Sequence, residues 1–309
     1  MLKYDSNLNA KPFLKWAGGK SQLLSTIENK FPDTIKKSMK IDRYFEVFVG
    51  GGALYFYLMN NYEVKESYLY DINPELILTY NVIKHNPKEL IDHLLILQED
   101  YLPLDNEDRK KYYLNIRTIF NDDLKIFDFE NYSDAHVIRA SYIIFMNKTC
   151  FNGLFRLNKN YEFNVPHGRY KNPLICDKKN IMAVSKTLKH TNIINDNYFE
   201  SENLIDENSL VYLDPPYRPL SQKSNFTTYA GFDFTDEHQI ELSNFYKKIS
   251  NKGAKAILSN SDPKNEDIND NFFDDLYKDY NIERIKAKRS INSNGKKRGL
   301  INEILVTNY

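Results

Sequence analysis

A chain of 309 residues with 41% apolar side chains can fill a large α/β core, alone or with an inserted domain. Its 42 Lys plus Arg balance 42 Asp plus Glu, which excludes a global electrostatic pull on nucleic acid and leaves any such surface to local patches. Its 2 cysteines, Cys150 and Cys176, exclude a disulfide framework, and neither stands in metal-ligand spacing with His.

In chain order, the N-terminal MLKYDSNLNAKPF lacks the apolar core of a secretory signal, and no later stretch is long and charge-free enough to cross a bilayer. A cytoplasmic protein without membrane contact is expected. Short apolar runs at 44–49, 67–70, 193–195, 210–213 and 254–258 read as strands of a largely parallel sheet. Between 74 and 177 that rhythm stops, and helical patterns such as 87–101 and 105–120 lead into an aromatic, Asn-rich, basic stretch. An inserted, mostly helical domain at 74–177 is expected there, with 1–73 and 178–309 forming the main domain. Near the C-terminus, 282–288 and 303–307 flank the turn-prone Ser293-Asn294-Gly295 and read as an antiparallel pair closing the sheet.

The segment with the clearest chemistry follows the strand at 210–213: Asp214-Pro215-Pro216-Tyr217. The amino nitrogen of adenine is a poor nucleophile because its lone pair is delocalised into the ring. Two acceptors that bind its hydrogens draw it toward tetrahedral geometry and aim the lone pair at a methyl sulfonium. Asp214 offers an ionised carboxylate and Pro215 a backbone carbonyl. The prolines stiffen the turn and bring no competing N–H, and Tyr217 can stack on a base turned out of the duplex. The plainer reading is a strand terminator with a turn Asp and a packed Tyr.

Two further motifs bear on a cofactor. Tyr44-Phe45-Glu46-Val47-Phe48-Val49 runs into Gly50-Gly51-Gly52, where backbone can approach a ligand at the mouth of a helix, though such turns also arise from packing alone. The next strand ends at Asp71, about 20 residues on, where nucleoside-binding α/β folds place a carboxylate on ribose hydroxyls; a helix N-cap is the alternative. In Lys15-Trp16-Ala17-Gly18-Gly19-Lys20-Ser21 the Gly-Lys-Ser invites a phosphate loop, but Leu14 stands where that motif needs glycine. Trp16 is then either core packing or a wall of the cofactor pocket, with Lys20 facing the carboxylate of a methionine moiety.

The stretch from Phe151 through Asn152, Leu154, Arg156, Pro166 and Tyr170 combines Arg, Asn and aromatics around a turn at 158–161. A β-hairpin reading base edges and wedging into an opened stack is one reading, a solvated loop the other. Lys286, Lys288, Arg289, Lys296, Lys297 and Arg298 form a basic loop able to grip phosphates, offset in the total by an acidic run at 262–279.

Four blocks, FLKWAGGK (13–20), YFEVFVGGGA (44–53), NGLFRLNKNYEFNVPHGRY (152–170) and VYLDPPYRP (211–219), make the chain resemble the Dam-like adenine-N6 DNA methyltransferases, including GATC modification methylases. Weaker similarity continues at SNFTTY (224–229), LSNS (258–261) and KRSINSNG (288–295), and the motif order is that of the family's α group. The resemblance implies a Rossmann-like, seven-stranded methyltransferase sheet carrying a mostly helical target-recognition domain with a β-hairpin. It implies S-adenosyl-L-methionine as cofactor, held by Trp16, Lys20, Asp71, Asp196 and Asp214, with Asp214, Pro215, Pro216 and Tyr217 as the catalytic loop. At Asp196 this chain departs from the pattern, since Asn197 intervenes before the aromatic residue. Lys15, Leu154, Arg156, Pro166 and Tyr170 match positions that read GATC, and Phe151 and Asn152 the position that wedges into the duplex; His167 carries no such role. Double-stranded DNA is the implied partner of a monomer or weak dimer, with a cognate restriction endonuclease encoded nearby in the restriction-modification reading. No metal is implied, since transfer from a sulfonium needs no Lewis acid. A stand-alone regulatory methylase and a catalytically silent DNA-binding regulator are the alternatives; an eroded catalytic motif would mark the latter, and Asp214 to Tyr217 is intact.

Overall fold

The computed structural model describes residues 9–16, 18–218, 234–288 and 300–309. The turn at Ser293-Asn294-Gly295, the basic residues Arg289, Lys296, Lys297 and Arg298, and the segment 224–229 lie outside the described residues.

The protein is a mixed α/β structure with a seven-stranded sheet. Its strands are β1 (Lys40–Glu46), β2 (Glu63–Asp71), β3 (Thr191–Asn195), β4 (Ser209–Leu213), β5 (Lys255–Ser261), β6 (Asn281–Lys288) and β7 (Leu300–Thr307), in the order β3-β2-β1-β4-β5-β7-β6. The helices are α1 (Leu24–Asn29), α2 (Asp33–Ser38), α3 (Ala53–Asn61), α4 (Pro74–His85), α5 (Pro87–Tyr101), α6 (Asn106–Asp123), α7 (Asp134–Thr149), α8 (Lys178–Leu188), α9 (Asp236–Asn251) and α10 (Phe272–Leu276). Every expected strand overlaps an observed one. The largest displacement is at β1, which begins at Lys40 because Lys40 and Ile41 pair with Glu63 and Val64. Val47 and Val49 leave the strand yet still donate to the carbonyls of Tyr212 and Tyr70, at 3.3 and 2.9 Å. None of the helices among the described residues is long and apolar enough to cross a membrane.

The chain packs as two compact units, residues 1–19, 50–61 and 71–195, and residues 20–49, 62–70 and 196–309. The first is mostly helical, and its helices start where the sequence marks them. Asn73 caps α4 by accepting from the N–H groups of Glu75 and Leu76, with Pro74 as first helical residue; Asp105 caps α6 in the same way. A buried α7 packs against α4, α5 and α6. Its Arg139, 1% exposed, pairs with Glu75 and Asp123 and lies 4.1 Å from the Phe120 ring centroid, so a charge in the core is matched on every side. At 150–170 the chain makes isolated antiparallel bridges, Leu157 to Phe163 and Cys150 to His167, rather than strands.

In the second unit β4 (SLVYL) is buried at all five positions, as befits an inner parallel strand. It pairs in parallel with β1 and β5; β7 joins β5 antiparallel and β6 joins β7 antiparallel, which is the C-terminal pair the sequence predicts. Strand order reverses between β1 and β4, the position where open α/β sheets form a crevice beyond their carboxyl ends. Asp214 follows β4 directly into that position.

Candidate active site

In the second unit, β4 delivers Asp214 next to Ser259 of β5, because the register that pairs Leu213 with Leu258 sets the following residues side by side. The Ser259 hydroxyl donates to Asp214 Oδ1 at 3.0 Å. The Lys20 ammonium, in a side chain only 4% exposed, lies 2.8 Å from the same oxygen and 3.8 Å from Glu303 Oε2. It also donates to the Tyr217 hydroxyl and sits 4.4 Å from that ring's centroid. Tyr217 in turn donates to Glu303 Oε2 at 2.7 Å. The turn itself is braced, since Gln239 Nε2 donates to the Pro216 carbonyl at 3.1 Å while Gln239 Oε1 accepts from Asn260 Nδ2 at 3.1 Å. Arg218, just beyond, is anchored to Asp236 and Asp270.

The electrostatics of this cluster follow from burial against one cation. Burial pushes the Asp214 carboxyl up, while the Lys20 charge and the hydrogen bonds from Lys20 and Ser259 pull it back. Glu303 is raised by burial in the same way and relieved by Lys20 and Tyr217. Burial, reinforced by the Asp214 and Glu303 charges, keeps Tyr217 a neutral phenol. Lys20 is thus the counter-ion shared by Asp214 and Glu303.

The first unit holds the glycine turn and Asp71. Gly50 has φ +46°, and a Cβ there would stand 2.7 Å from Trp16 Cδ1; at Gly52, φ +66°, it would meet the Tyr80 hydroxyl at 2.6 Å. Protein packing therefore demands these glycines. Trp16, stacked on Phe155 with centroids 5.3 Å apart, is wedged between that ring and the turn. Asp71 Oδ2 accepts from the Gly50 N–H at 3.1 Å and Oδ1 from the Asn73 N–H at 3.0 Å. Asn73, not Asp71, caps α4, so the plainer reading of Asp71 does not hold. Burial pushes Asp71 up to about 6, with those two N–H groups pulling it back. A carboxylate raised by burial and relieved by two backbone N–H groups can accept further hydrogen bonds from hydroxyl donors. Asp196, in the second unit, is exposed, and its Oδ1 accepts from the Asn197 N–H at 2.8 Å.

The first unit also gathers residues expected to touch DNA. Phe151, 53% exposed, and Asn152, exposed with φ +60°, form the tip of a tight turn. The Phe151 N–H donates to the Pro166 carbonyl at 2.8 Å, and Lys15 Nζ lies 5.8 Å from the Tyr170 ring centroid. Leu154 is half-buried; Arg156 is exposed, with Nε donating to Asn164 Oδ1 at 2.7 Å. His167 is a packing residue whose Nε2 lies 2.6 Å from the Tyr101 hydroxyl. Sequence reasoning missed Ser259, Glu303 and Gln239. A lone carboxylate in the apolar run Ile304-Leu305-Val306 was a usable signal for Glu303, and the LSNS block for Ser259.

The model of the D12 class N6 adenine-specific DNA methyltransferases matches residues 16–291 of this chain. The chain belongs to this family. It is 46% identical to the type II methyltransferase M.MjaIII of Methanocaldococcus jannaschii, over 98% of this chain and 100% of that protein. It is 38% identical to the type II methyltransferase M1.LlaDCHI of Lactococcus lactis subsp. cremoris, over 98% and 97%, and 33% identical to the DNA adenine methylase of Vibrio cholerae, over 96% and 95%. As a D12 class enzyme the protein methylates adenine N6 in DNA, and the family implies a methyl donor.

Proposed function

We propose that this enzyme methylates an adenine rotated out of double-stranded GATC, with S-adenosylmethionine as donor, as the modification enzyme of a restriction-modification system. The observation that carries the reading is the arrangement at Asp214, whose Oδ1 is engaged by both Lys20 and Ser259. That engagement turns Oδ2 toward acceptor work, and the Lys20 charge favours the ionised carboxylate, which can only accept. With the carbonyl of Pro215 as second acceptor, the two amino hydrogens of adenine are bound on one side, and the nitrogen lone pair is directed to the other. Tyr217, fixed through its hydroxyl by Glu303, offers its ring to the base.

Bound S-adenosylmethionine would supply an electrophilic methyl group on a sulfonium. Asp71 would hold its ribose, Trp16 wall the pocket, and Asp196 face its adenine ring. Residues 74–177 serve as target-recognition domain and 1–73 with 178–309 as catalytic domain, with Lys15, Leu154, Arg156, Pro166 and Tyr170 reading bases and Phe151 and Asn152 wedging into the duplex. The names of the two type II relatives support the restriction-modification role; that of the DNA adenine methylase supports a stand-alone methylase as second reading.

The test is transfer of labelled methyl from S-adenosylmethionine to duplexes with and without GATC. Label on adenine of GATC alone is expected, and label on other sites, on cytosine or on RNA would refute it. Asp214→Ala is expected to abolish transfer while DNA binding persists.

A further inference from the structure

In the first unit the segment leading to Trp16 is held by asparagine side chains that bind its backbone as a neighbouring strand would. Asn60 accepts from the Ala10 N–H at 3.1 Å and donates to the Ala10 carbonyl at 2.8 Å. Asn180 does the same at Lys11, at 2.9 and 3.0 Å. Asn147, on α7 and 1% exposed, repeats the pattern at Lys15, with both contacts at 2.9 Å. It also reaches further, because its Nδ2 donates to the Gly153 carbonyl at 2.9 Å.

Gly153 is the other half of the contact. It has φ +65°, and a Cβ there would stand 2.5 Å from Lys15 Cδ and 3.1 Å from Lys15 Cβ. The aliphatic stem of Lys15 therefore lies directly on the bare backbone of the Phe151–Gly153 turn, while its ammonium approaches the Tyr170 ring. Lysine is a long, freely rotating side chain, so what it selects depends on where its backbone is fixed.

We propose that Asn147 is a positioning residue for target recognition, tying the backbone of Lys15 to the carbonyl of Gly153. Base-reading ammonium and duplex wedge then approach DNA as one piece. The inference rests on the reading of Lys15 as a base contact. Loosening the tie lets the ammonium reach other acceptors in the groove, which relaxes site choice more than it slows transfer at the preferred site.

Three variants test this: Asn147→Asp, which keeps the acceptor but loses both donated bonds; Gly153→Ala, which disturbs the same contact from the opposite side; and Lys15→Ala. Each is incubated with total DNA and S-adenosylmethionine, and N6-methyladenine is mapped by sequencing, alongside thermal midpoint and donor affinity. Asn147→Asp and Gly153→Ala are expected to lower the preference for the cognate motif over one-base variants by about tenfold or more, with donor affinity within about twofold. If Asn147→Asp does not fold, Gly153→Ala decides by itself. Unchanged preference in folded variants, with Lys15→Ala relaxed, overturns the role of Asn147 alone. Unchanged preference in Lys15→Ala overturns the base-reading role of Lys15 and this inference with it.

Discussion

Asp214 and Asp71 are both carboxylates raised by burial, and they differ in what relieves them. Asp214 has a cation; Asp71 has two amide N–H groups. Removing the cation should therefore expose the burial penalty at Asp214. For Lys20→Met we expect the acidic limb of the kcat/KM profile to move to higher pH, because the carboxylate that must be ionised to accept hydrogen bonds now holds its proton longer. An acidic limb left in place would mean that Lys20 does not tune Asp214. At Asp71, with its pKa raised to about 6, the ionised form that would accept the ribose hydroxyls of the proposed donor predominates only above that value. Binding of S-adenosylhomocysteine by calorimetry should weaken as pH falls through about 6, and Asp71→Asn should flatten that dependence. The same shift has a stability sign. The folded state holds the proton more tightly than the unfolded one, so the penalty of ionising Asp71 grows as pH rises from 3.8 toward 6 and is full above it.

At the scale of elements, the glycine turn after β1 and the α7 core each depend on a contact with little tolerance. Gly50→Ala puts a methyl group against the Trp16 ring at a positive φ and should destabilise the protein by about 1–3 kcal/mol, read as a drop in thermal midpoint. Trp16 is packed on the same turn, so a truncated side chain in Trp16→Ala should make Gly50→Ala better tolerated, which a double-mutant cycle measures. Arg139→Met leaves Glu75 buried without its partner and should cost about 3–5 kcal/mol in chemical denaturation. Much of this was legible in sequence. The period of 87–101 matches α5 to the residue and that of 105–120 overlaps α6, whereas the cap of α4 is Asn73 and not the Asp71 that the sequence offered. The start of β1 was not, because Lys40 to Arg43 and Glu63 to Glu66 are charged, alternating segments whose strand character comes from pairing with each other.

For the molecule as a whole, zero formal charge means that attraction to DNA is the sum of local contacts, each phosphate held adding about −0.9 to the slope of log affinity against log salt. Lys15→Met is expected to leave that slope unchanged while erasing motif preference; a slope reduced by about one unit would make Lys15 a phosphate contact instead. The sequence by itself determined the α/β alternation, the seven strands, the helical stretch between 74 and 177, and the acidic Pro-Pro turn, because these are written in periodicity, caps and short motifs that neighbouring residues carry. Only the tertiary structure decided that Lys20, Asp214, Ser259 and Glu303 form one hydrogen-bonded cluster and that Asn147 joins Lys15 to Gly153. Those residues lie far apart along the chain, and what brings them together is the order and register of β4, β5 and β7 and the burial of α7. A polar side chain buried by such packing takes whichever partner the fold leaves within reach, and local sequence carries no record of that choice.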